Sequence, residues 1–328
     1  MAQGGSAAPK APVFEPHYEF YLKPPEVGRW EAFGLFLYNP DKGQIFGRTG
    51  PSWAKIGLFY LSFYAVLAAL FAVCLWVFFQ TLDPRIPTWQ LDSSIIGTSP
   101  GLGFRPMPED SNVESTLIWY RGTDRDDFRQ WTDTLDEFLA VYKTPGLTPG
   151  RGQNIHNCDY DKPPKKGQVC NVDIKNWHPC IQENHYNYHK SSPCIFIKLN
   201  KIYNWIPEYY NESVNLPEHM PDDLKQYIHN LESNNSREMN TVWVSCQGEN
   251  PADKENIGPI EYIPRRGFPG YFYPYENSEG YLSPIIAIHF KRPRTGILIN
   301  IECRAWARNI EHNRADRVGM VHLELMID

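Results

Sequence analysis

The chain has 328 residues, a formal net charge of −6 and an aromatic content of 14%. That balance lacks the basic footprint of a nucleic-acid-binding protein. Only one run is long, apolar and uncharged, which excludes a multi-helix ion path within this chain.

Residues 1 to about 35 are Gly/Ala/Pro-rich and then carry scattered charges without apolar periodicity, which predicts a disordered tail. Residues 36 to 55 form a short juxtamembrane segment, so 1–55 is read as one cytoplasmic tail. From Ile56 to Phe79 there is no charge. At about 1.5 Å per residue this run reaches roughly 36 Å, enough to cross a hydrocarbon core of about 30 Å with some tilt. It begins too far from the N-terminus, and is too long, for a cleaved signal peptide. Lys42, Arg48 and Lys55 flank it on one side and Arg85 alone on the other, which places the N-terminus in the cytoplasm.

Within the run, Tyr60, Tyr64, Ala68 and Ala72 recur every fourth residue and form one ridge. Tyr60 lies about 7 Å of helical rise past Lys55, within reach of an interfacial aromatic belt; Tyr64 lies about 13 Å past it, deeper than a belt requires. Small residues at this spacing admit a second helix closely, and phenol tips find partners at such an interface. The ridge is therefore expected to face another membrane helix. Cys74 is read as a small apolar filler.

Asp83-Pro84-Arg85 stops the helix, and the Pro/Gly-rich stretch of residues 80–110 reads as an extracellular stalk. Residues 111–328 should then form the folded ectodomain. Its clearest helix runs from Asp124 to Tyr142, where Phe128, Trp131, Leu135, Phe138, Leu139 and Tyr142 share a face. Thr123 with Asp126 suits a capping box. Strands are expected at 117–121, 195–202, 241–246, 285–290, 297–305 and 321–327. Residues 204–240 and 248–284, rich in Pro, Asn, Gly and Glu, read as long connections. No regular β-α alternation is visible, so the fold class is mainly β: an immunoglobulin-like antiparallel sandwich with one flanking helix.

Six cysteines, Cys158, Cys170, Cys180, Cys194, Cys246 and Cys303, all follow the apolar run. An even number on one side of a membrane predicts three disulfides in an oxidising compartment. Cys246 and Cys303 fall in strands, which suits a bridge between the two sheets of a sandwich. For the other four, joining neighbours is the simplest of the many pairings. Two glycosylation sequons begin at Asn211 and Asn234 on the same side. Together these features give a single-pass type II topology.

Two D-x-D triplets, Asp124-Arg125-Asp126 and Asp159-Tyr160-Asp161, raise a type II lumenal glycosyltransferase as an alternative, since paired carboxylates can hold a divalent cation. The first already serves as helix-start charge and the second lies in a polar loop, so structural roles are preferred. His178, His185 and His189 cluster with Cys180 and Cys194, but no C-x-x-C or H-E-x-x-H accompanies them, and packing roles are preferred over zinc. No P-loop, Gly-x-Ser-x-Gly or Gly-x-Gly-x-x-Gly is present. No catalytic, cofactor or metal site is expected. A cell-adhesion glycoprotein with an immunoglobulin-like domain is the other alternative.

The stretches GRTGPSWAKIGLFYLSFY (Gly47 to Tyr64), QTLDPRIPTWQ (Gln80 to Gln90), PCIFIKLNKIYNW (Pro193 to Trp205), VSCQGENPADKENIGPIEY (Val244 to Tyr262), GYLSPIIAIHF (Gly280 to Phe290) and INIECRAWARNI (Ile299 to Ile310) resemble, in order, the β subunits of sodium/potassium-transporting ATPases. The gastric proton/potassium pump β subunit is close kin. The resemblance implies a non-catalytic plasma-membrane glycoprotein that forms a heterodimer with a catalytic α subunit. In that family the β subunit supports folding and export of α and tunes potassium transport. A small single-span regulatory subunit is a further companion in some assemblies. It also implies consecutive pairing, Cys158–Cys170, Cys180–Cys194 and Cys246–Cys303. Tyr60 and Tyr64 would face α helices, and Tyr271, Tyr273, Tyr275, Tyr281 and Pro284 would meet an outer loop of α. Where the family shows Pro-Tyr-Tyr-Gly, this chain has Pro274-Tyr275-Glu276-Asn277. Membrane lipid is the other expected contact, and nucleic acid is not.

Overall fold

The computed structural model describes residues 28–108 and 115–328, so most of the expected disordered tail lies outside the described residues. The chain divides into two compact units, one ending at Thr81 and the other running from Leu82 to Asp328.

The first unit opens with a helix, α1 (Arg29–Leu37), where the tail was expected to remain unstructured. Three two-residue strands follow, β1 (Tyr38–Asn39), β2 (Gln44–Ile45) and β3 (Arg48–Thr49), which form a small sheet. Helix α2 (Gly50–Thr81) then contains the whole uncharged run and none of its residues is buried within the chain. Pro51 is tolerated because it falls in the first turn, where its missing N–H costs nothing. Among the described residues, α2 is the one helix long and apolar enough to cross a membrane.

The second unit contains, in chain order, β4 (Leu102–Arg105), β5 (Leu117–Tyr120), α3 (Arg125–Lys143), α4 (Arg151–Asn154), β6 (Ile155–His156), β7 (Val169–Cys170) and β8 (Cys194–Leu199). It continues with α5 (Asp222–Asn234), β9 (Thr241–Gly248), α6 (Pro251–Asn256), β10 (Ile260–Ile263), β11 (Gly267–Pro269), β12 (Ile285–Phe290), β13 (Leu298–Trp306) and β14 (Met320–Ile327). One sheet has the order β10-β12-β8-β4 and a second the order β11-β9-β13-β14-β5. A single apolar core draws on both, with Ile195, Ile197 and Ile288 from the first and Val244, Ile301, Leu323 and Leu325 from the second.

Strand β14 shows why its sequence makes one face. Leu323, Leu325 and Ile327 are buried while His322 and Glu324 between them are partly open to solvent, the period-2 alternation of a half-buried strand. Strand β12 is buried along its whole length, which its sequence, apolar but for His289, anticipates. Helix α3 buries Phe128, Trp131, Leu135, Leu139 and Tyr142. Its N-cap is Asp124, not Thr123: the Asp124 carboxylate accepts from the Asp126 N–H at 3.1 Å, a short acceptor reaching an orphan donor of the first turn.

Four further expectations need revision. The stretch read as stalk contains β4, which pairs with β8 and buries Leu102 and Phe104. The connection over 204–240 contains α5, so more than one helix flanks the sheets. The sheets are not wholly antiparallel, because β5 joins β14 in parallel. Finally, Cys246 and Cys303 lie opposite one another on adjacent strands β9 and β13 of one sheet, so their bridge does not run between sheets.

Candidate interaction faces

On α2, the rings of Tyr60 and Tyr64 lie 6.2 Å apart at 23°, stacked one turn from each other. They remain 51% and 59% exposed, and Ala68 and Ala72 continue the ridge as a shallow step. Neither phenol finds a hydrogen-bond partner among the described residues. Phe59 and Phe63 stack in the same way on the neighbouring ridge, 6.2 Å apart. Their purely apolar rings suit lipid, whereas the tyrosine ridge carries polar tips that lipid leaves unsatisfied.

The second face is the segment from Tyr271 to Pro284. The structure turns much of it inward. Pro284 is buried just before β12 begins. The Tyr273 ring meets Trp205 edge-on at 5.5 Å, and its enclosed hydroxyl is held well above the usual phenol range by burial. These two therefore anchor the segment. Tyr271 packs edge-on against Tyr160 at 5.2 Å.

Tyr275 and Tyr281 form a half-buried shoulder. Their rings are 4.8 Å apart, and Lys201 Nζ lies 5.1 Å from each ring centroid, a cation held between two π faces. Burial lowers the Lys201 pKa. The Tyr275 hydroxyl donates to Asn277 Oδ1 at 2.8 Å. Arg85, four residues beyond the end of α2 in the sequence, pairs with Glu279, and its carbonyl accepts from Asn277 Nδ2 at 3.1 Å. Asn277, at the last position of the stretch that departs from Pro-Tyr-Tyr-Gly, and Glu279, two residues on, thus both hold Arg85.

Gly280 closes this loop. Its φ of +83° lies in the left-handed region, and an added Cβ would come within 2.4 Å of Arg151 Cα. Arg151, itself fully buried, donates to the Gly280 carbonyl at 2.9 Å. Gly280→Ala should therefore cost more than the roughly 1–2 kcal/mol of a left-handed alanine alone. Thermal unfolding of the solubilised chain checks this; an unchanged midpoint would show that the loop relaxes freely.

The disulfides hold the surroundings. Cys158 is joined to Cys170, Cys180 to Cys194, and Cys246 to Cys303. The first tethers a loop, residues 163–170, that faces Tyr271, Tyr273 and Tyr281 across a cavity of about 360 Å³. The second fixes residues 181–193 to the start of β8. Asn211 and Asn234 are exposed, and Asn234 ends α5. One carboxylate of each D-x-D triplet has a clear structural partner: Asp124 caps α3, and Asp161 pairs with Arg237 at 2.5 Å. His185 and His189 pack edge to face, their centroids 6.0 Å apart.

The contributions of Lys201, Arg85, Glu279 and Arg151 were not read from the sequence. Lys201 and Gly280 each fall inside a stretch that carries the family resemblance, which was the available signal. Arg85 was read as a flanking charge and as part of the helix stop, within another such stretch, but not as a partner of Glu279.

A helix long and apolar enough to cross a membrane, followed by a disulfide-bonded, mainly β unit, is the make-up of a membrane-anchored protein. Comparison with known proteins makes the class specific: the sodium/potassium ATPase beta chain family matches residues 23–323, and the chain belongs to that family. It is 64% identical over 310 residues to sodium/potassium-transporting ATPase subunit beta-2 of Drosophila melanogaster, covering 94% of this chain and 96% of the relative. It is 40% identical to subunit beta-1 of the same organism, covering 93% and 95%. The human subunit beta-2 is 29% identical over 312 residues, covering 91% and 94%. The family is that of a non-catalytic subunit, and neither the glycosyltransferase nor the adhesion receptor is favoured as an alternative.

Proposed function

We propose that this chain pairs with a catalytic α subunit as the β subunit of a sodium/potassium-exchanging pump, stabilises α through folding and delivery to the plasma membrane, and tunes potassium transport. In this reading residues 1–55 are cytoplasmic and 56–79 cross the bilayer. The stalk ends before β4, and the β-rich unit, an immunoglobulin-like pair of sheets, lies outside the cell with glycans on Asn211 and Asn234. A small single-span regulatory subunit is an optional third member.

The observation that carries the reading is the ridge of Tyr60, Tyr64, Ala68 and Ala72, unpartnered among the described residues. Transport helices carry polar groups that are costly to leave against lipid, and a partner helix with small residues and phenol tips can cover them. Tyr275 and Tyr281, held by Lys201 and the Arg85–Glu279 pair, supply the outer contact.

Tyr60→Ala with Tyr64→Ala should weaken coupling to α by about 1–2 kcal/mol, the scale of interhelical hydrogen bonds in membranes. The expected result is a changed potassium activation of pump ATPase activity with surface delivery largely kept, read by activity assays and surface biotinylation on co-expressed subunits. An unchanged activation curve would remove the ridge from the coupling.

A further inference from the structure

Helix α1 carries an apolar stripe that none of the described residues covers. Trp30, Phe33 and Leu37 follow the i, i+3, i+7 spacing of one helical face and are 85%, 54% and 38% exposed. No residue of the helix is buried, and after Glu31 every residue in it is apolar or glycine. Beyond its first turn such a helix offers water no polar side chain.

Its position within the first unit is fixed by three contacts. The Phe46 N–H donates to the Leu37 carbonyl at 3.1 Å. The Phe36 and Phe46 rings meet edge-on, 6.0 Å apart. Trp53 Nε1, in the first turn of α2, donates to the Ile45 carbonyl at 2.8 Å. The small β1-β2-β3 sheet thereby ties α1 to the start of α2, three residues before the uncharged run begins at Ile56. Arg29, Lys42, Arg48 and Lys55 outnumber Glu31 and Asp41 over this stretch.

We propose that α1 lies in the headgroup boundary of the bilayer that α2 crosses, with Trp30, Phe33 and Leu37 turned to the acyl chains and the surrounding cations favouring anionic lipid. The proposal rests on reading α2 as a membrane span. Its occupant is lipid because α1 is held at the level where the span enters, where tryptophan is a favoured interfacial side chain. Basic residues beside a span also draw anionic headgroups.

The test uses the full chain with its catalytic partner, reconstituted in phosphatidylcholine with phosphatidylserine. A polarity-sensitive fluorophore is first attached to Cys74, the one free cysteine. Quenching there by lipids spin-labelled at the chain end reports the span itself, so failure of the span is seen separately. Phe33→Cys, or Leu37→Cys where the first assembles poorly, is then labelled in a Cys74→Ala background. The expected result is blue-shifted emission, quenched more by lipids spin-labelled just below the headgroup than by those labelled at the chain end. A label on Glu31→Cys, on another side of α1, should respond more to aqueous iodide. With Cys74 quenched as expected, a Phe33→Cys label open to iodide and blind to spin-labelled lipid overturns the proposal. A label shielded from both also overturns it, and assigns the stripe to a protein partner.

Discussion

Replacing Cys246 and Cys303 together by alanine should cost the folded chain about 4 kcal/mol, against about 3 kcal/mol for the Cys158/Cys170 or Cys180/Cys194 pair, in the chain-entropy account of cross-links. The ordering follows from the sequence separations of 57, 12 and 14 residues. The bridge joins β9 and β13 at a position where the ladder already holds the strands in register, from Ile301 opposite Gly248 to Trp306 opposite Trp243. The folded state therefore gains little new geometry from it, and the main effect is to restrict the unfolded chain. Both cysteines are buried on the core side of the sheet, so serine replacements would add unpartnered hydroxyls to the cost. Against a typical net stability of about 5–15 kcal/mol, this loss should leave much of the chain unfolded and retained before reaching the cell surface. Denaturant midpoints and surface biotinylation of the three double variants check the ranking. A Cys246/Cys303 variant as stable as the Cys158/Cys170 variant would contradict the loop-length argument.

The apolar helix was legible because its signal is local: a long run without charge needs no partner to be recognised. Helix α3 was legible for the same reason, its large apolar residues recurring at helical spacing with acidic residues at its start. What escaped were features set by distant residues. Strand β4 has only Leu102 and Phe104 to mark it, between Pro100 and Pro106, and composition outweighed an alternation of two. Helix α5 did carry a periodic signal, Leu224, Tyr227, Ile228 and Leu231, with Asp222 and Asp223 in its first turn, but the polar sequence around it obscured the pattern. The partner strand of Cys246 could not be read at all, since local alternation gives a strand its faces but not its neighbours. The tyrosine segment shows the same limit: resemblance named Tyr273, Tyr275, Tyr281 and Pro284 alike, and only packing shows that Pro284 is buried, that the Tyr273 hydroxyl is enclosed and that Tyr275 and Tyr281 meet at Lys201.

Trp306→Ala should destabilise the second unit by about 3–5 kcal/mol, the usual cost of deleting a buried tryptophan. Trp306 is 1% exposed and its Nε1 donates to Ser245 Oγ at 2.8 Å. It lies opposite Trp243, on the side of the sheet away from the main core, and forms a second apolar cluster with Met220, Leu224, Ile228 and Met239. Helix α5 thus covers the sheet through this tryptophan pair, and His219 and His312 flank Trp306 at ring distances of 5.2 and 4.6 Å. Removing the indole takes away the floor on which Leu224 and Ile228 rest and leaves the Ser245 hydroxyl without its donor. Because the two sides of one contact are being cut, Trp306→Ala and Leu224→Ala should be less than additive when combined. Hydrogen exchange should rise first across residues 222–234, while β8 and β12 in the other sheet keep their protection. Trp306→Phe should recover part of the loss, since it restores apolar volume but not the indole hydrogen bond. Strict additivity of the double variant, or unchanged exchange in α5, would mean that the helix is held by something other than the tryptophan pair.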